Sequence, residues 1–133
     1  LAKLLDDLRI ERRLIILSAC FSGVFVPALN GDQSVIVTAA SSQRTSFGCN
    51  PGNDWTFFGD AFVNTALRKP QSLEKANVEA RSLITLWEAG RGFVPSDPQI
   101  FIGDKARVWL DALEARVPKT ETPKVGRAAN ITT

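Results

Sequence analysis

An α/β domain with a mostly parallel sheet is what this sequence predicts, on three observations. Apolar runs rich in β-branched residues recur at residues 13–18 and 34–39. Segments with apolar residues at helical spacing precede and follow them. Neither run alternates polar with apolar, the pattern of a sheet covered on both faces. The chain has 133 residues, enough for one domain with its own core. Three recognisable strands are few for a doubly wound domain, so further strands are expected in sequence before Leu1.

Each element has a local reason. Leu1, Leu4, Leu5 and Leu8 share one helical face, so residues 1–9 read as the last turns of a longer helix. The strand at 13–18 and the strand at 34–39 are separated by the turn formers Asn30-Gly31-Asp32. Residues 40–54 form a polar loop, in which Gly48, Pro51 and Gly52 prevent regular structure. Residues 55–67 are expected to be helical, ending at Lys69-Pro70. A long helix follows over 72–89, with Ser72 as N-cap and Gly90 as the stop. Its buried face is Leu73, Ala76, Ala80, Leu83, Ile84 and Trp87. Residues 99–102 are a short strand reached through Pro95 and Pro98. Asp104 is expected to cap a last helix that buries Ala106, Trp109, Leu110, Leu113 and Val117. The domain therefore covers 1–117, and 118–133 reads as a polar tail or linker carrying Pro123 and Gly126.

Composition excludes several classes of function. With 44% hydrophobic and 23% charged residues the chain has an ordinary globular balance. The net charge of +2 is small, and the densest basic cluster, Arg9-Ile10-Glu11-Arg12-Arg13, is interrupted by an acid. Nucleic-acid binding is not expected without a basic stripe and stacking aromatics. No apolar run is long enough for a membrane span. Two cysteines and no histidine cannot complete a zinc site within the chain, and nothing in it requires a cofactor. Asn130-Ile131-Thr132 is a glycosylation pattern only in a secreted eukaryotic context.

The chemistry concentrates at Ser18-Ala19-Cys20-Phe21-Ser22-Gly23, directly after the first apolar run. The carboxyl end of a strand is where an open α/β sheet presents groups to a ligand crevice. Cys20 there is either a small apolar residue at a strand end or a nucleophile. Ala19 and Gly23 keep the strand exit uncrowded, leaving nearby N–H groups free to stabilise an oxyanion. Phosphatase chemistry wants an arginine six residues after the thiol, and that position is Val26. A thiol also needs a base or a depressed pKa, and the usual base, histidine, is absent from this chain.

The caspase signature is approached at Ala19-Cys20, although Ser18 stands for its Gln and Gly23 comes one residue late. A closer likeness runs through Ala19-Cys20-x-Ser22-Gly23, Val37-Thr38-Ala39-Ala40, Thr45-Ser46-Phe47-Gly48-Cys49 and Phe57-Phe58-Gly59-Asp60. Over residues 13–62 this ordered series resembles the legumain (asparaginyl endopeptidase) family of cysteine peptidases. The resemblance implies a caspase-like α/β/α sandwich and a cysteine endopeptidase with Cys20 as nucleophile. It further implies the Cys20 N–H as one oxyanion donor, and Thr45, Ser46 and Asp60 as the pocket for the substrate residue before the cut. Carboxylate and hydroxyls together suit a carboxamide such as Asn, while a carboxylate alone suits Arg or Lys.

Each pocket residue also has a plainer reading. Asp60 is equally a solvated acid in a helix's first turn, and Thr45 and Ser46 are equally loop hydroxyls. Cys49 matches a family cysteine with no catalytic role and is read as structural. The family's acidic residue after the nucleophile is Phe21 here, which unsettles a strict Asn preference. The family's catalytic His-Gly pair lies upstream of anything in this chain, so base and second oxyanion donor are expected from a missing N-terminal segment. The implied partners are that segment and a peptide or protein substrate. Two alternatives stay open: an inactive caspase-like domain that binds an extended peptide, and a Cys-dependent transamidase.

Overall fold

In the computed structural model, which describes residues 1–129, the two apolar runs pair with each other. β1 (Arg13–Leu17) lies parallel to β2 (Ser34–Thr38), with Arg13 opposite Ser34 and Leu17 opposite Thr38. The connection passes through a 3-10 turn (Ser22–Phe25) and the short α2 (Val26–Leu29). β3 (Gln99–Ile102) joins the other edge of β2 antiparallel, so the order is β1-β2-β3. The described sheet is therefore mixed, with one parallel and one antiparallel pair, where a mostly parallel one was expected. Its cause lies in the preceding loop. Residues 91–98 deliver the chain to Gln99 beside Thr38, at the carboxyl end of β2, whereas a parallel crossover must reach the amino end.

β2 is buried along its whole length, and Val35 and Val37 enter the main core. Burying each such side chain contributes about 1.5–3 kcal/mol. The core is completed by Phe57, Phe58 and Phe62 and by the buried stripe of α3 (Leu73–Gly90) at Leu73, Ala76, Ala80 and Ile84. Ser72 caps α3 as expected: its Oγ accepts the Lys75 N–H at 3.2 Å, an interaction of about 1 kcal/mol. Leu83 and Trp87 lie at the margin of the core, partly buried.

Three helical expectations need correction. Residues 55–67 do not form one helix; a π-helical turn (Gly59–Val63) is followed by a 3-10 turn (Ala66–Arg68). The Asn64 N–H reaches back five residues to the Gly59 carbonyl at 3.0 Å. That wider turn puts Phe58 and Phe62 in the core, their rings stacked with centroids 5.2 Å apart. α4 (Ala106–Glu114) begins at Lys105 without a side-chain cap, because the Ala106 N–H bonds the Asp32 carbonyl instead of needing Asp104. It buries Ala106 and Leu110, but ends too early to carry Val117 inward, and Leu113 and Val117 are exposed. Finally the helix expected over 1–9 is the shorter α1 (Ala2–Asp7), with Leu4 exposed and no buried residue.

Asn130-Ile131-Thr132 lies outside the described residues. No helix among them is long and apolar enough to cross a membrane.

Candidate active site

The turn after β1 is held against the turn after β2 by contacts that explain its sequence. Ser22 is buried, and its Oγ accepts the Ala40 N–H at 3.2 Å. The Gly23 N–H and the Thr38 hydroxyl both donate to the Ala40 carbonyl, each at 2.9 Å. A Cβ on Gly23 would come within 2.5 Å of the Ser42 backbone nitrogen, so only glycine permits this approach. Phe21 takes a left-handed conformation, φ 56°, at a cost of about 1–3 kcal/mol for a bulky residue. Its N–H donates to the Arg44 carbonyl at 2.7 Å, which holds the strained residue in place. Cys20 therefore sits exposed at a sharp strand exit.

Two of the expected residues meet there. The Ser46 N–H lies 3.3 Å from the Cys20 Sγ, the thiol lies 3.5 Å from the Ser46 carbonyl, and the two side chains approach to 3.8 Å. The Cys20 N–H has no acceptor among the described residues, which leaves it free to donate to an oxyanion. Thr45 is exposed one residue away. Beside Gly23 a cavity of about 280 Å³ opens between Val26, Ser41 and Ile100.

Asp60 is placed differently. It is 2% exposed, so it is not a solvated acid. Its Oδ1 accepts from the Asn64 amide at 2.9 Å and its Oδ2 from the Ala129 N–H at 3.0 Å. Among the described residues no hydrogen bond joins Asp60 or Thr45 to Cys20. A link does run between their elements: the Ser18 and Thr56 hydroxyls are 3.4 Å apart, and Thr56 Oγ1 accepts the Gly59 N–H. Cys49 is exposed with a free thiol.

Part of the segment read as a polar tail lies on this region. Val125 bonds Asn64 and the Trp55 indole, at 2.9 and 2.8 Å, and the Asn53 amide donates to the Ala129 carbonyl at 3.3 Å. The Arg127 guanidinium and N–H both donate to Asp54 and hold its carboxyl below the usual carboxylate range. Sequence reasoning missed Thr56, Asn64 and Glu88. Thr56, three residues before Gly59, carried an N-cap signal. Glu88 continues the Ala76-Ala80-Ile84 spacing and so falls on the buried face.

Sheet, turn and thiol together define a mixed α/β domain that presents an exposed cysteine at a strand end. The chain belongs to the peptidase C13 family, the legumain family, whose family model matches residues 1–105. That membership implies a cysteine peptidase. No curated protein and no solved structure matches the chain.

Proposed function

We propose that this chain carries the nucleophile and part of the substrate pocket of a cysteine endopeptidase. The observation that carries the reading is the exposed Cys20 thiol at the strained exit of β1, against the Ser46 N–H. The Cys20 sulfur attacks the scissile carbonyl, and the oxygen gains negative charge that is stabilised by a hydrogen bond donated from the Cys20 N–H. The C–N bond then breaks, the amine leaves with a proton, and water hydrolyses the thioester. A histidine supplied from sequence upstream of Leu1 takes the thiol proton and returns it to the leaving amine.

Ser46 and Thr45 offer hydroxyls, and Asp60 a carboxylate, to the substrate side chain before the cut. Because Ala129 occupies an Asp60 oxygen, substrate reaches Asp60 only when that contact opens. With Phe21 exposed where the family has an acid, the pocket accepts polar side chains beyond Asn.

The test treats the full-length protein with electrophilic peptide probes bearing Asn, Asp or Arg before the electrophile. Labelling is expected in the wild type and absent from Cys20→Ala; labelling that persists in Cys20→Ala refutes the nucleophile. Asp60→Asn is expected to alter the ranking of the three probes. Probe binding without a covalent adduct points to the inactive peptide-binding domain. Capture of the acyl group by an added amine in preference to water points to the transamidase.

A further inference from the structure

Glu88 sits where an acid is disfavoured twice. It lies in the last turn of α3, where the helix dipole opposes negative charge. It is also 1% exposed, so its carboxylate has lost its hydration. Ala76, Ala80 and Ile84 precede it on the same buried stripe, and an apolar side chain would pack there without either penalty.

The carboxylate grips the following loop. Both Glu88 carboxylate oxygens lie 3.1 Å from the Ser96 N–H, and the Glu88 carbonyl accepts the Phe93 N–H at 2.9 Å. That loop in turn grips the one beside the thiol. The Ser96 carbonyl accepts the Ser41 N–H at 2.9 Å, just after β2. The Phe93 ring stacks on Phe47, centroids 4.4 Å apart and planes 20° apart. Ser41 and Phe47 bracket the loop, and the residue between them that meets the Cys20 Sγ is Ser46. Phe47 is fixed from its other side by the Phe57 N–H on its carbonyl, at 2.9 Å.

We infer that Glu88 is a positioning residue for the Cys20 site. Its buried carboxylate fixes residues 91–98, which hold residues 41–47 in register with the thiol at two points, Ser96 on Ser41 and Phe93 on Phe47. The anchor stands on geometry alone, and its consequence for substrate rests on the peptidase reading. A residue that only filled space on α3 would leave the 41–47 loop indifferent to its charge.

The experiment uses the full-length protein with Glu88→Gln, which removes the charge and leaves one acceptor oxygen of the two that face the Ser96 N–H, without changing size. Amide hydrogen exchange at Ser96 and Ser41 is expected to rise about tenfold, as for a hydrogen bond to a charged acceptor replaced by a neutral one. With an Asn-bearing electrophilic peptide, the half-saturating concentration is expected to rise about tenfold while the limiting labelling rate holds within about twofold, a loss of binding and not of chemistry. Alkylation of Cys20 by iodoacetamide is expected to stay unchanged, because that reagent needs no pocket.

Phe93→Ala, at a side chain already 39% exposed, keeps the Glu88–Ser96 bond and is expected to weaken peptide binding with Ser96 exchange unchanged. It carries the test should Glu88→Gln not fold. Wild-type exchange at Ser41 in Glu88→Gln, or wild-type half-saturation in Phe93→Ala, overturns the proposal. A wild-type protein that the peptide leaves unlabelled removes the peptidase reading and the positioning role together, and the exchange data then report a purely structural anchor.

Discussion

β1 and β2 look alike as sequence and differ as structure. Leu14 to Leu17 and Val35 to Val37 are equally apolar, yet β2 is buried at every residue while Leu14 and Ile16 of β1 are each 41% exposed. β2 has a strand on both edges, whereas β1 has one neighbour among the described residues. Apolar content thus marks a strand for burial, and the number of neighbours decides how far burial is reached. The free edge of β1 is where the proposed upstream strands would pair, and its uncovered apolar face is where the elements connecting them would pack. Past its carboxyl end, in contrast, Ser22 is buried and bonded to Ala40, and the Phe21 N–H is bonded to Arg44. The turn that carries Cys20 is therefore held on a buried contact, while the strand that leads to it is half covered.

The comparison is tested most severely by paired truncations in the 133-residue chain. Ile36→Ala is expected to cost about 2–5 kcal/mol and Ile16→Ala less than about 1 kcal/mol, read from urea midpoints. Equal losses would break the contrast. A larger loss at Ile16 in the full-length protein would sharpen it, since the face would then be covered. Gly23→Ala comes next: its Cβ would press on the Ser42 backbone, at an expected cost of about 1–3 kcal/mol. Reaction of Cys20 with a peptide probe should slow with it, because the two turns must part. Ser22→Ala is smaller, about 1 kcal/mol, for the bond between its hydroxyl and the Ala40 N–H.

What was legible in the sequence was what local pattern determines. The three strands, the Ser72 cap and the strand-end position of Cys20 all follow from spacing and residue type. The direction of β3 did not, because it depends on where residues 91–98 deliver the chain. The π-helical turn was hidden for a related reason: its register is set by fitting Phe58 and Phe62 into one core, which no helical period announces. Cys20 and Ser46 were named from motif and do meet. Asp60 was named from the same motif, yet its buried setting depends on Ala129, far away in sequence. Glu88 was visible as a charge on an apolar stripe, but its partner, the Ser96 N–H, is named by nothing in the sequence.

The carboxyl-terminal segment gives the smallest effect, and it isolates polar attachment from burial. Where β2 is fixed by apolar packing, residues 125–129 are fixed mainly by hydrogen bonds to Asp54, Trp55, Asp60 and Asn64. Arg127 holds the Asp54 carboxyl below its ordinary range in the folded chain. A depressed carboxylate stabilises above its unfolded pKa and loses that contribution as pH falls through the folded value. The attachment should therefore loosen only once pH has fallen below the ordinary carboxylate range. The change should be small, because the Asp54–Arg127 pair is solvent-exposed and screened. The Trp55 indole N–H, which donates to the Val125 carbonyl, is the reporter. Its NMR resonance should move toward that of a water-exposed indole on acidification, and Asp54→Asn should shrink the shift. If Asp54→Asn titrates like the wild type, the Arg127 contact does not govern the segment.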